Sequence, residues 1–101
     1  MKISNLSFNE KDIESLAKKW GIIEFSIFGS VLGNHFKDDS DIDILIQFKS
    51  DIRYSLFDLV ELKEELEDLF HRPVDIVEKA SIKNPFRKNE ILKTARVIYA
   101  A

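Results

Sequence analysis

The stretch "FGSVLGNHFKDDSDIDILIQF", Phe28 to Phe48, sets a Gly-Ser pair ten residues ahead of two aspartates, Asp41 and Asp43. Within it, Ile42, Ile44, Ile46 and Phe48 alternate with Asp41, Asp43, Leu45 and Gln47. A period of two is the mark of a strand with one apolar face. Asp41 and Asp43 then share the opposite face, ~7 Å apart along the backbone. Two ionised carboxylates so placed repel each other, and beside a core each also loses hydration. The strand therefore needs either open solvent or a counter-charge at these positions.

Three arrangements meet that need. In the first, the aspartate face simply looks into solvent. In the second, Asp39, Asp41 and Asp43 begin a calcium loop. That reading fails, because Ile44 stands where an EF-hand needs glycine and Ser50 where it needs glutamate. In the third, the pair holds Mg²⁺, whose remaining positions are filled by water and phosphate oxygens. Gly29-Ser30 favours the third: glycine admits backbone N–H groups close to a phosphate, and serine adds a hydroxyl donor at the start of a turn.

Outward from this core, "IIEFSIF" (Ile22 to Phe28) reads as a strand with Ile23, Phe25 and Ile27 on one face. Before it, Ser7 with Glu10 forms a capping-box pattern, and Ile13, Leu16, Ala17 and Trp20 recur at helical spacing. A helix from about Phe8 to Trp20 is expected. Ser55 can cap a second helix, striped by Leu59, Leu62, Leu66, Leu69 and Phe70 and ending near His71-Arg72-Pro73. "PVDIVE" is a short strand. If it pairs beside "SDIDILIQF", Asp75 joins the face of Asp41 and Asp43, and three carboxylates there could bind two Mg²⁺ ions. Asn84 and Pro85 open a third helix carrying Phe86, Ile91, Leu92, Ala95 and Ile98, with Val97 to Tyr99 either its end or a fourth strand. Strands with helices laid on them make an α+β domain.

With 101 residues, 45% hydrophobic content and eight phenylalanines, the chain is expected to form one domain, 1–101. It has no cysteine, which excludes disulfides and thiolate chemistry. Without a signal-like start or a membrane-length apolar run, it is expected to be cytoplasmic. The net charge of −3 is uneven: residues 1–78 hold nine Lys/Arg against seventeen Asp/Glu (−8), and residues 79–101 hold six against Glu90 alone (+5). An acidic body does not suit direct nucleic-acid binding. The basic end suits a phosphate-bearing ligand or an acidic partner. His35 and His71 have no partner at metal-ligand spacing and read as surface residues.

Gly29-Ser30, ten residues, then Asp41-Ile42-Asp43 resembles the G-S-x10-D-x-D signature of the DNA polymerase β-like nucleotidyltransferases. The short length, "SDIDILIQF" and "RPVDIV…ILKTARVIYA" resemble the minimal nucleotidyltransferases (MNT) in particular. The resemblance runs from Ile22 to Tyr99. It implies a small mixed sheet with helices packed on it and an NTP bound with Mg²⁺, usually two ions. A nucleoside monophosphate, AMP from ATP, would pass to an acceptor hydroxyl. By the family pattern, Gly29 and Ser30 contact the phosphates, Asp41 and Asp43 ligate metal, and Asp75 completes the metal site and helps deprotonate the acceptor. Many relatives are antitoxins that neutralise a HEPN-domain ribonuclease toxin, by attaching AMP to a tyrosine or by binding, so such a toxin is the implied partner.

Relatives often carry an arginine just after the serine or a few positions on, as in a G-S-x-x-R run, where this chain has Val31, Leu32, Gly33 and Asn34. Lys37, Arg53 or Arg87 would then supply the cation. Two other readings stand beside the enzyme: an antitoxin that acts by binding alone, and a transferase acting on a small molecule or RNA. An exposed part of the leucine stripe would offer a surface for a helical partner or a homodimer.

Overall fold

The computed structural model describes residues 2–3, 6–29 and 41–101. The elements run β1 (Lys2–Ile3), β2 (Leu6–Ser7), α1 (Glu10–Trp20), β3 (Ile22–Phe28), β4 (Ile42–Phe48), α2 (Leu56–Phe70), β5 (Val74–Glu78), a 3-10 turn (Lys79–Ser81), α3 (Pro85–Thr94) and β6 (Arg96–Ala100). Two residues each of β1 and β2 pair antiparallel. The main sheet has the order β5-β4-β3-β6, with β4 and β5 parallel and the other pairs antiparallel. This is the expected α+β arrangement with a mixed sheet.

The caps explain where the helices start and stop. Ser55 and Asp58 form a reciprocal capping box at the head of α2, which ends at His71 in the left-handed region (φ 58°). Asn84 accepts from the N–H groups of Phe86 and Arg87, with Pro85 in the first turn of α3. At α1 the structure differs from the expected Ser7 cap: Ser7 is drawn into β2, and the cap is Asn9, whose side chain accepts from the Lys11 N–H. The segment left open at Val97–Tyr99 is a strand, β6.

Register decides which residues reach the core. β3 carries a bulge between Ile22 and Glu24, so Ile22, Phe25 and Ile27 are buried while Ile23 is half-buried, in place of the simple Ile23-Phe25-Ile27 alternation. On β4, Ile42, Ile44 and Ile46 meet α1 and α2 through Ile13, Leu16, Ala17, Trp20, Leu62, Leu66 and Phe70 in one cluster. Phe25 is fully buried, and its ring stacks at 6.5 Å on Phe70. Glu65 ties the two helices together by accepting from Lys19 Nζ (2.7 Å) and from Trp20 Nε1 (3.1 Å).

The connections place α3 on the other face. The crossovers β4–α2–β5 and β5–α3–β6 both join parallel strands but move across the sheet in opposite directions. Right-handed crossovers then put α2 and α3 on opposite faces. Leu45, Ser26 and Ile91 are accordingly buried outside the main cluster, and Ser26 Oγ has no hydrogen-bond partner among the described residues. The stripe expected on α3 is mostly exposed: Phe86 is 81% exposed and Leu92 41%, while Ile98 belongs to β6.

Phe25→Ala is expected to cost about 3–5 kcal/mol in urea denaturation, and Phe57→Ser, at an 86% exposed position, to stay within about 0.5 kcal/mol.

Candidate active site

β3 ends where β4 and β5 begin, and that end of the sheet collects the acidic residues. Asp43 lies opposite Phe28 on β3 and opposite Asp75 on β5. Adjacent strands are ~4.8 Å apart, so these two carboxylates leave the same face from neighbouring backbones. Asp43 is half-buried and Asp75 exposed. Asp41 is exposed just ahead of β4, and the next residue fixes its position: the Ile42 N–H donates to the Pro73 carbonyl (2.9 Å).

Gly29 completes the described part of this end. Its φ is 81°, a conformation that L side chains rarely adopt, and a Cβ there would lie 3.0 Å from the Asp43 carboxyl carbon and nearer still to Oδ2. Glycine is required twice over, by its dihedral and by the carboxylate pressed against its backbone. Ser30 and Val31 to Asn34 lie outside the described residues, as do His35, Lys37 and Asp39.

The structure thus brings together Gly29, Asp43 and Asp75, with Asp41 at the rim. Among the described residues no three acidic or histidine side chains converge tightly enough to form a metal cage by themselves. The donor set still fits Mg²⁺, which usually keeps several waters and takes one or two carboxylates plus substrate phosphate oxygens. Like charges opposite each other on neighbouring strands repel weakly in solvent, and a bound cation would offset that repulsion.

Two of the cations considered above sit elsewhere. Arg53 Nη1 donates to the carbonyls of Ser50 and Ile52, beyond the C-terminal end of β4. Arg87 is in the first turn of α3, ~9 Å along the helix axis from Lys93. Reading the sequence missed an open cleft of about 430 Å³ between Phe28 and the last turn of α3, lined also by Glu90, Ile91, Lys93 and Thr94. Its one visible signal was the +5 balance of residues 79–101.

This sheet, with carboxylates and a glycine turn at its edge, belongs to a recognisable class. The family described as "Nucleotidyltransferase domain" matches residues 10–98, and the chain belongs to that family of enzymes. A Methanocaldococcus jannaschii protein whose name carries a provisional assignment as a protein adenylyltransferase is 41% identical over 91 residues, covering 90% of this chain and 95% of the relative. The protein adenylyltransferase MntA of Thermococcus cleftensis is 36% identical, with 83% of each chain covered.

Solved structures agree. One described provisionally as a minimal nucleotidyltransferase superposes with a TM-score of 0.70 at 31% identity, covering 86% of both chains. A toxin-antitoxin structure with AMP-PNP gives 0.72 at 20% identity, covering 92% of this chain and 74% of that one. A tri-AMPylated Shewanella oneidensis HEPN toxin in complex with its MNT antitoxin gives 0.64 at 19%, covering 91% and 70%. No helix among the described residues is long and apolar enough to cross a membrane.

Asp75→Asn removes a like-charge neighbour of Asp43 and is expected to stabilise the metal-free protein by about 0.5 kcal/mol in urea titrations, an effect that shrinks as salt is added. Gly29→Ala must strain φ and push the Asp43 carboxylate aside. A loss of about 1–2 kcal/mol is expected, measured in the same way.

Proposed function

We propose that this chain transfers AMP from ATP, with Mg²⁺, to a hydroxyl group on a HEPN-type toxin and so acts as its antitoxin. One observation carries the reading: Asp43 and Asp75 stand in register on parallel strands, with Gly29 closed against Asp43. The names of the relatives and the toxin-antitoxin structures of the same fold support the nucleotide, the chemistry and the partner class.

In this reading the acceptor oxygen forms a bond to the α-phosphorus while the bridging bond from that phosphorus to the β-phosphate oxygen breaks. Pyrophosphate leaves with the electron pair. The acceptor proton passes to the Asp75 carboxylate, which is exposed and so can meet an incoming hydroxyl. The Gly29 turn, continued by Ser30, offers N–H groups to the phosphates. Asp41, Asp43 and Asp75 would hold the metal, in two positions, and when bound it supplies charge stabilisation to the transferring and leaving phosphates. The chain's own contribution is orientation: three strand ends fix the acceptor, the α-phosphate and the leaving group in line.

The test uses ATP labelled at the α-phosphate, Mg²⁺ and a HEPN toxin that this chain neutralises on co-expression. Label is expected on the toxin, with none from γ-labelled ATP, and Asp43→Asn should slow the transfer about a hundredfold or more, roughly 2.7 kcal/mol of barrier. Label that survives Asp43→Asn sinks the assigned site. Neutralisation without any label would make the chain an antitoxin that acts by binding alone.

A further inference from the structure

Six of the seven charged residues of α2 are acidic, and they divide into two sets. Three serve the fold: Asp58 caps the helix with Ser55, Glu65 accepts from Lys19 and Trp20, and Glu67 accepts from the Val74 N–H. The carboxylates of the other three, Glu61, Glu64 and Asp68, are exposed and enter no hydrogen bond or ion pair among the described residues. These three also share a face. Phe57, Val60, Glu61, Glu64 and Asp68 fall at i, i+3, i+4, i+7 and i+11, a stripe on the side opposite the buried Leu62, Leu66 and Phe70.

The stripe is apolar at its start and acidic over the rest. Phe57 is 86% exposed and Val60 49%, and Leu56 beside them is 76% exposed. All three lie outside the core cluster. An open groove of about 360 Å³ between α1 and α2 extends the acidic part, lined by Asp12 and Asp68 together with Leu16 and Leu69. Neighbouring apolar side chains left in solvent and rimmed by charge mark a surface that another protein covers.

The charge says what kind of surface covers it. The partner must offer apolar groups to Phe57 and its neighbours and cations to three unpartnered carboxylates. The chain's own basic end, residues 79–101, has the right sign, but α3 lies on the opposite face of the sheet from α2. A second copy brought onto α2 by that end would leave its own α2 uncovered, and the contact would repeat without closing. A ribonuclease, the partner class of the proposed function, must carry a basic surface to hold the RNA backbone. Such a surface meets the carboxylates and ends the assembly there.

Resting on the antitoxin reading above, we propose that the outward face of α2 docks on the basic RNA-binding surface of the toxin and excludes RNA from it. α2 runs towards the site end: it stops at His71, and the Pro73 carbonyl accepts from the Ile42 N–H beside Asp41. Asp68 is therefore the end of the stripe nearer the site, and Phe57 is the far anchor, ~16 Å away along the helix axis. A toxin laid along the stripe overhangs the edge that holds Asp41 and Asp75. Docking and transfer are then separable: the stripe sets how tightly the toxin is held, and the carboxylates set how fast AMP moves.

The experiment takes the toxin that this chain neutralises on co-expression and measures, in the absence of ATP, its binding to the chain and the displacement of a labelled RNA made uncleavable by 2′-O-methylation. The wild type is compared with Phe57→Ser and with Glu61→Lys/Glu64→Lys/Asp68→Lys. Denaturation curves first establish that each is folded; if the triple variant is not, Glu61→Gln/Glu64→Gln/Asp68→Asn replaces it. The wild type should displace the RNA. Charge reversal should weaken toxin binding about a hundredfold and Phe57→Ser about tenfold, and added salt should weaken the wild type more steeply than the reversal. With ATP present, the reversal should raise the toxin concentration needed for half-maximal labelling and leave the saturated rate within about twofold. Toxin binding unchanged in both variants, or a toxin that holds RNA and this chain together, overturns this inference and leaves the transfer reaction intact. Sedimentation of the wild type alone as an oligomer that charge reversal returns to a monomer assigns the stripe to a second copy and overturns it equally. A wild type that neither binds nor labels the toxin overturns the antitoxin reading, and this inference with it.

Discussion

The pairing of β3 with β4, with Phe28 opposite Asp43, is the constraint on which the other features depend. It closes the chain around the Gly-Ser loop and delivers Gly29 against the Asp43 carboxylate. It also leaves the free edge of β4 for β5, which brings Asp75 into line. The apolar face of the same two strands supplies the isoleucines and Phe25 on which α1 and α2 rest. One ladder of hydrogen bonds thus sets both the floor of the core and the geometry of the charged edge. A slip of one residue would turn the isoleucines to the site face and the aspartates into the core.

Keeping like charges in register costs the fold energy, and the surrounding structure compensates through packing. Ile42 and Ile44, on either side of Asp43, are fully buried, as is Ile27 across from Ile44. α2 and α3 lie on opposite faces, so the sheet is supported from both sides while its carboxylate edge stays open. The trade is a familiar one in catalytic proteins: rigid elements hold charged groups at an open edge where a ligand can reach them.

Much of this was legible in the chain. The alternation in "SDIDILIQF" gave β4 and its two faces, and Ser55, Asn84 and Pro85 marked helix starts where they occur. The conditional placement of Asp75 beside Asp43 held, because a short αβ connection between two apolar strands favours parallel neighbours. Other features depended on partners distant in sequence. The β3 bulge follows from how β3 meets β4 and is invisible in "IIEFSIF" taken alone. Ser7 lost its capping role because the start of the chain pairs with itself, leaving Asn9 to cap α1. The reading of α3 erred because Phe86 and Leu92 follow a helical spacing yet face solvent, and Ile98 falls past the helix end. Arg53 was considered beside the site on charge alone. Strand direction carries it to the opposite end, and the same logic brings Lys93 beside Phe28.

The parallel match of β4 with β5 has a kinetic meaning as well. Asp43 and Asp75 meet only after all of α2 has been threaded between their strands, and β3 meets β6 only when nearly the entire chain has been laid down. Contacts of such sequence separation are costly in loop entropy and form late in folding. Gly29 can meet Asp43 before the rest is in place, but the paired carboxylates wait for α2 and β5, which makes the charged edge a late product of folding.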